Sequence, residues 1–133
     1  MSRENVELIY AWIDAFNRRD LDTLDRLHDE AILWRTTPED PDATTHRGRD
    51  AVRRYLAGYI ESFPDLRIEV IECFPLDDGR IFTTGHFVGR SAQGVPMDWS
   101  LTTVSTMKDG VVVRGEEYFD RADAAAATGL SDG

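Results

Sequence analysis

Apolar residues recur at helical spacing in the first half of the chain and at strand spacing in the second. From Val6, the residues Ile9, Tyr10, Ile13 and Phe16 fall three and four positions apart, and Leu8 and Trp12 widen the stripe. This pattern predicts a first helix, opened after Ser2 as N-cap and buried around more than half its circumference. The polar stretch FNRRD breaks it. Asp20 is placed to cap a short second helix whose Leu21, Leu24 and Leu27 form a narrow apolar face. AILWR, residues 31–35, reads as a short strand, and Pro38 and Pro41 keep residues 36–47 an irregular loop. A third helix begins near Gly48 to Asp50. Val52, Tyr55, Leu56, Tyr59, Ile60 and Phe63 line one side of it, and Pro64 stops it.

Beyond Pro64 the period changes from helical to alternating. LRIEVIECFPL, RIFTTGHFVGR, MDWSLTTVSTM and VVVRGEEYFD read as four strands, turned at DDG (Asp77 to Gly79), near AQG, and at KDG (Lys108 to Gly110). Aspartate–glycine turns between β-rich runs signal hairpins. A short helix over residues 121–128 follows. Helices gathered early and strands late predict an α+β fold in one domain, residues 1–133, with helices packed on one face of a curved sheet.

The final strand poses a chemical question. Strict alternation puts Val111, Val113, Gly115, Glu117 and Phe119 on one face. A carboxylate on an apolar face, beside a missing side chain, costs several kcal/mol unless it is partnered. Glu117 therefore needs a partner, a water or a task, and Gly115 is expected to leave room beside it for a ligand or a water.

Composition narrows the classes of function. The 133 residues carry 25 acids against 15 bases, a net charge of −10. Such a chain lacks the clustered Lys and Arg that a nucleic-acid backbone demands. No apolar run reaches the ~20 residues of a membrane span, so neither nucleic acid nor membrane is an expected partner. Cys73 is the single cysteine. It rules out an intrachain disulfide and fits a cytoplasmic setting, with Cys73 as an inert core thiol. His28, His46 and His86 lack metal-ligand spacing, and no glycine-rich phosphate loop is present. No metal and no cofactor is expected.

The element order, helix–helix–strand–helix followed by an antiparallel meander, resembles the nuclear transport factor 2-like cone fold. AWIDAFNRRDLDTLDRLHDEAILWR, HRGRDAVRRYL and TMKDGVVVRGEEYFDRADA resemble the opening, third-helix entry and closing hairpin of its SnoaL-like group. The resemblance implies a cone-shaped, antiparallel or mixed sheet wrapped around three N-terminal helices, with a short C-terminal helix. It implies an internal site, and a homodimer through the outer sheet face. The group's activities do not carry over residue by residue. Arg35 falls where steroid isomerases place their carboxylate base, with Trp12 and Thr103 at the oxyanion positions, and an arginine cannot abstract a proton. Against limonene epoxide hydrolase, Glu117 matches a catalytic aspartate in kind, whereas Thr84, His86, Leu33 and Arg35 depart from the remaining positions. Against the polyketide cyclases a histidine near the third-strand step survives as His86, and the fourth-strand acid is replaced near Thr103.

Arg35, His86 and Glu117 are thus expected to meet inside the cone as the catalytic set. Trp12, Tyr55, Tyr59, Trp99 and Phe119 are the expected substrate-binding walls. Glu117, hydrogen-bonded to His86, would act as general base on water or on a C–H acid, with Arg35 steadying the oxyanion or anchoring a carboxylate. Three functions stay open on the sequence: a cofactor-independent hydrolase, isomerase or cyclase acting on a small, largely apolar metabolite; a non-catalytic small-ligand binder; and a dimeric scaffold with a filled interior. Asp98 and Asp120 are expected as an exposed turn acid and a helix cap.

Overall fold

The structure, a computed structural model, describes residues 2–37 and 44–130. Helix α1 spans Ser2–Asn17, and the capping role expected of the Ser2 side chain lies outside the described part. Helix α2 spans Leu21–Arg26, capped as expected by Asp20, whose carboxylate accepts from the Thr23 amide. Strand β1 spans His28–Arg35, three residues longer at its start than expected. Strand β2, Thr45–Arg47, lies within the segment expected to be irregular, and residues 38–43 of that segment fall outside the described residues. Helix α3, Arg49–Ser62, ends just before Phe63 and Pro64. Strands β3 (Arg67–Pro75), β4 (Ile81–Arg90), β5 (Pro96–Lys108) and β6 (Val111–Tyr118) form the meander. Helix α4, Arg121–Thr128, is capped by Asp120 and closed by Gly129 at φ 73°.

Among the described residues six strands form one mixed sheet in the order β2-β1-β6-β5-β4-β3. All neighbours are antiparallel except β1 and β6, which run parallel. The α+β cone expected from the sequence is the fold observed. The hairpin between β5 and β6 turns on Asp109 at φ 54° and Gly110 at φ 81°, the two left-handed residues that a two-residue turn matched to strand twist requires.

Two cores lie on opposite faces of the sheet. The larger joins Ile9, Ile13 and Phe16 of α1 and Val52 and Leu56 of α3 to Ile32, Trp34, Ile68, Phe87 and Leu101 on the concave side. Each large apolar side chain buried there contributes about 1.5–3 kcal/mol. The smaller sets Ala124 of α4 against Phe82, Val104 and Tyr118 on the convex side. An ion pair from Arg121 to Glu72, at 2.5 Å, pins α4 to that face. Among the described residues no helix is long and apolar enough to cross a membrane, and no three His, Cys, Asp or Glu gather as metal ligands.

Strand phase decides which residues face inward, and here β6 departs from simple alternation. Thr106 pairs with Arg114 but Met107 pairs with Val112, so Val113 is an extra residue on β6. Such a bulge reverses the parity of everything before it. Val112, rather than Val111 and Val113, shares the concave face with Gly115 and Glu117.

Candidate functional site

The concave side of the sheet and the helices α1 and α3 enclose a cavity of about 60 Å³. Most of its lining is apolar, from Ile9, Trp12, Ile13, Phe16, Leu56 and Phe87 among others. Three hydroxyl residues, Thr83, Thr103 and Ser105, reach it from β4 and β5, and Glu117 reaches it from β6. Register places them together, since Thr103 pairs with Glu117 on one side and with Thr83 on the other.

Glu117 is 7 % exposed. Trp34 Nε1 donates to its Oε2 at 2.7 Å, and the Tyr55 hydroxyl lies 3.0 and 3.1 Å from its two oxygens. Both donors are neutral and both are positioned by their elements. Tyr55 projects from α3 on the same side as Leu56 and Tyr59. Trp34 is set by register, because in the parallel β1–β6 pair it lies beside Gly115. A Cβ on Gly115 would stand 2.5 Å from Trp34 Cζ3 and 2.9 Å from Cδ2. The space that Gly115 leaves is therefore filled by the indole, and not by a ligand or water as expected. The missing side chain beside Glu117 exists so that Trp34 can lie flat and aim its N–H at the carboxylate.

The aromatic support continues behind Trp34. Trp12 stacks on it at 5.7 Å and 6°, and on Phe16 at 5.7 Å and 8°. Trp12 Nε1 donates to His28 Nε2 at 2.8 Å, which makes that nitrogen the unprotonated one of the neutral ring. The other nitrogen, Nδ1, is buried with no hydrogen-bond partner. Burial pushes the Tyr59 phenol well above its ordinary range, and the charge of Glu117 adds to that rise. On the far side of Tyr55, the His46 ring stacks at 4.5 Å, and burial, helped by the charge of Arg54, lowers its pKa.

Burial also pushes the His28 imidazole down from 6.5 to about 4. As pH falls through that window the unfolded chain takes up a proton that the folded chain refuses. The stability supplied by the neutral ring is complete above pH 6.5 and is lost progressively toward pH 4, by roughly 3 kcal/mol at the lower end. His28→Gln keeps an acceptor for Trp12 and is expected to flatten the rise of unfolding free energy with pH across this window. Urea titrations at stepped pH measure it, and an unchanged slope would show that another group titrates.

Not all the residues expected at the site meet there. Trp12, Tyr55, Tyr59 and Glu117 line the cavity. His86 does not, because Thr83, Gly85 and Phe87 take the inward positions of β4. It lies on the convex face, 2.6 Å from Asp98 and 3.7 Å from Glu69. Arg35 also lies on the convex face, since Trp34 takes the inward position beside it; its guanidinium sits 4.9 Å over the Tyr118 ring and 3.7 Å from Glu116. Trp99 packs at 5.4 Å on Phe87 in the aromatic cluster beside the cavity, without lining it. Phe119 follows the end of β6 and is 49 % exposed. Asp98 is exposed, as expected, and lies within β5. Sequence reasoning misses Trp34 as the donor to Glu117, Tyr55 as a direct partner rather than a wall, and His28 altogether. One signal points to Trp34: adjacent strand residues face opposite ways, so Trp34 and Arg35 could not both point inward.

Comparison with known proteins adds the family context. A family model described as a SnoaL-like domain matches residues 9–115. No curated protein matches the chain. Among solved structures, Bal32a from a soil-derived mobile gene cassette is 26 % identical, with a TM-score of 0.80, covering 91 % of this chain and 93 % of its own. TerC, co-crystallized with polyporic acid, is 22 % identical with a TM-score of 0.75, over 94 % of this chain and 97 % of its own. A candidate SnoaL-like polyketide cyclase from Jannaschia sp. CCS1 is 16 % identical with a TM-score of 0.77, over 97 % and 94 %.

Proposed function

The chain belongs to the SnoaL-like domain family, and on that footing we propose that it is a cofactor-independent acid–base enzyme acting on a small, largely apolar metabolite, with Glu117 as its proton-transferring group. The observation that carries the reading is the setting of Glu117: a carboxylate 7 % exposed, held by an indole N–H and a phenol, at the wall of a mostly apolar cavity. Two oriented neutral donors fix its direction toward the cavity wall. A carboxylate so placed takes a proton from a C–H acid or from a water, and returns it after rearrangement or addition.

His86 and Arg35 have no part in this mechanism. The donor to oxygen on the substrate in this reading is Thr103, whose hydroxyl-bearing side chain stands beside Glu117 in the same cross-sheet row; the neighbouring Thr83 hydroxyl donates to Cys73 Sγ. Donors to a developing oxyanion are the usual complement to a general base. The enclosed space is well below the ~300 Å³ of drug-sized sites. The substrate is therefore small, or inserts one carbonyl-bearing or epoxide-bearing end into the cavity beside Glu117.

Proton exchange tests the reading even while the product is unidentified. Small apolar ketones, epoxides and polyporic acid, the last because a structural neighbour was crystallized with it, are incubated with the protein in deuterated buffer and followed by NMR. The expected result is deuterium uptake or conversion of at least one compound, slowed about 10-fold by Tyr55→Phe through loss of one oriented hydrogen bond to Glu117. Ligand-dependent stabilisation with neither exchange nor turnover across the panel would favour a binder over an enzyme.

A further inference from the structure

On the convex face, three guanidinium-bearing residues converge where β2, β1 and β6 lie side by side. Arg35, Arg47 and Arg114 line a depression of about 250 Å³ together with Leu33, Thr45 and Gly115. Register makes the cluster: Leu33 pairs with Arg47 on one side and Arg114 on the other, and Arg35 pairs with Thr45 and Glu116. We propose that this depression is a binding site for a small oxyanion, a phosphate or a compound bearing one, separate from the cavity at Glu117 on the other face of the sheet.

Among the described residues the cluster holds more guanidiniums than carboxylates. The chain carries −10 overall, yet here, among the described residues, Arg35 and Arg114 share the one carboxylate of Glu116, at 3.7 Å and 3.5 Å, and Arg47 adds a third guanidinium to the same depression. These contacts are long for charge-assisted hydrogen bonds, which run to about 2.9 Å. Arg35 Nε and Nη2 are buried with no hydrogen-bond partner among the described residues. Buried N–H donors on a permanent cation are costly to leave unpaired, and like charges within one depression repel. Stacking on the Tyr118 ring holds the Arg35 guanidinium in place, so the fork is already oriented before any anion arrives. A tetrahedral oxyanion presents several acceptors to several guanidiniums at once, and so can meet the unpartnered donors of Arg35 while contacting Arg47 and Arg114. The negative field of the rest of the molecule repels anions, so binding here would come from the local geometry and not from long-range attraction.

The test titrates inorganic phosphate into the full chain at low ionic strength, with chloride at matched ionic strength as control. Binding is read by equilibrium dialysis and by the thermal midpoint. Phosphate is expected to bind and to raise the midpoint where chloride does not. Arg47→Met removes an exposed guanidinium and is expected to weaken phosphate binding about 10-fold without changing the midpoint in chloride. Arg35→Met is expected to abolish it, and Arg80→Met, whose guanidinium pairs with Asp78 elsewhere, to leave it intact. Phosphate acting no differently from chloride would overturn the proposal. So would Arg47→Met and the Arg47→Met/Arg114→Met pair binding phosphate as tightly as the unmodified chain, whether or not Arg35→Met folds. A depression filled instead by a carboxylate of a second copy would show as self-association lost in Arg47→Met with no response to phosphate, and would overturn it equally.

Discussion

Glu117→Gln is expected to lower turnover by at least ~100-fold, the scale of losing a general base, while the thermal midpoint holds. Glutamine has nearly the shape of glutamate, so the cavity wall stays filled. Its amide oxygen accepts from Trp34 Nε1, which donates to Glu117 at 2.7 Å, and its amide nitrogen donates to the Tyr55 oxygen. The packing and the contacts to Trp34 and Tyr55 survive, and the ability to take up a proton does not. Steady-state kinetics on the substrate found by exchange, beside a thermal melt, separate the two effects. Unchanged turnover would remove Glu117 from the chemistry. A large fall in the midpoint would show that the carboxylate is needed for folding through contacts that the amide cannot replace.

Gly115→Ala tests how the base is held. The added methyl would press into the Trp34 ring, nearest Cε3, with Cζ3 at 2.5 Å and Cδ2 at 2.9 Å, inside any tolerable contact, and the ring is itself backed by Trp12 at 5.7 Å. Neither the strand nor the stacked pair can yield without cost, so the variant is expected to lose about 1–3 kcal/mol of stability. Turnover should fall with it, because a displaced indole no longer reaches Glu117. Gly58→Ala is the control. Gly58 lies inside α3 with nothing within 4 Å of its added carbon, and alanine there is expected to stabilise by about 0.5–1 kcal/mol. Denaturant melts and tryptophan fluorescence measure both. A Gly115→Ala protein as stable as the unmodified chain, with unaltered emission, would show that the ring has room to move.

The helices and the meander were legible because their apolar periods are long and their ends are marked by Asp20, Pro64, Asp109–Gly110 and Asp120. Strand β2 was not, because three residues, THR, carry no period and follow a proline-bearing stretch. The base of the candidate site, Glu117, was found as an acid out of place on an apolar strand. Its partners were not, because the faces of β1 and β4 are ambiguous in the sequence. Phe82 and Phe87 of β4 are both buried but on opposite faces, one in each core. Alternation therefore could not tell that His86 goes with Phe82 to the outside. On β6 the extra residue at Val113 shifts the phase, and nothing in the run VVVRG announces it.

The parallel pairing of β1 with β6 joins the first described strand to the last. Eighty-odd residues separate Trp34 from Glu117, so the loop that their contact closes spans most of the molecule. Non-local closure of that kind slows folding. A nascent chain emerging from the ribosome exposes one edge of β1 until β6 has been synthesised. Throughout that interval the indole of Trp34 has no carboxylate to meet, and β1 offers an unpaired edge that neighbouring chains can capture. Overexpression at high temperature should therefore raise the insoluble fraction, and slower synthesis in the cold should recover it.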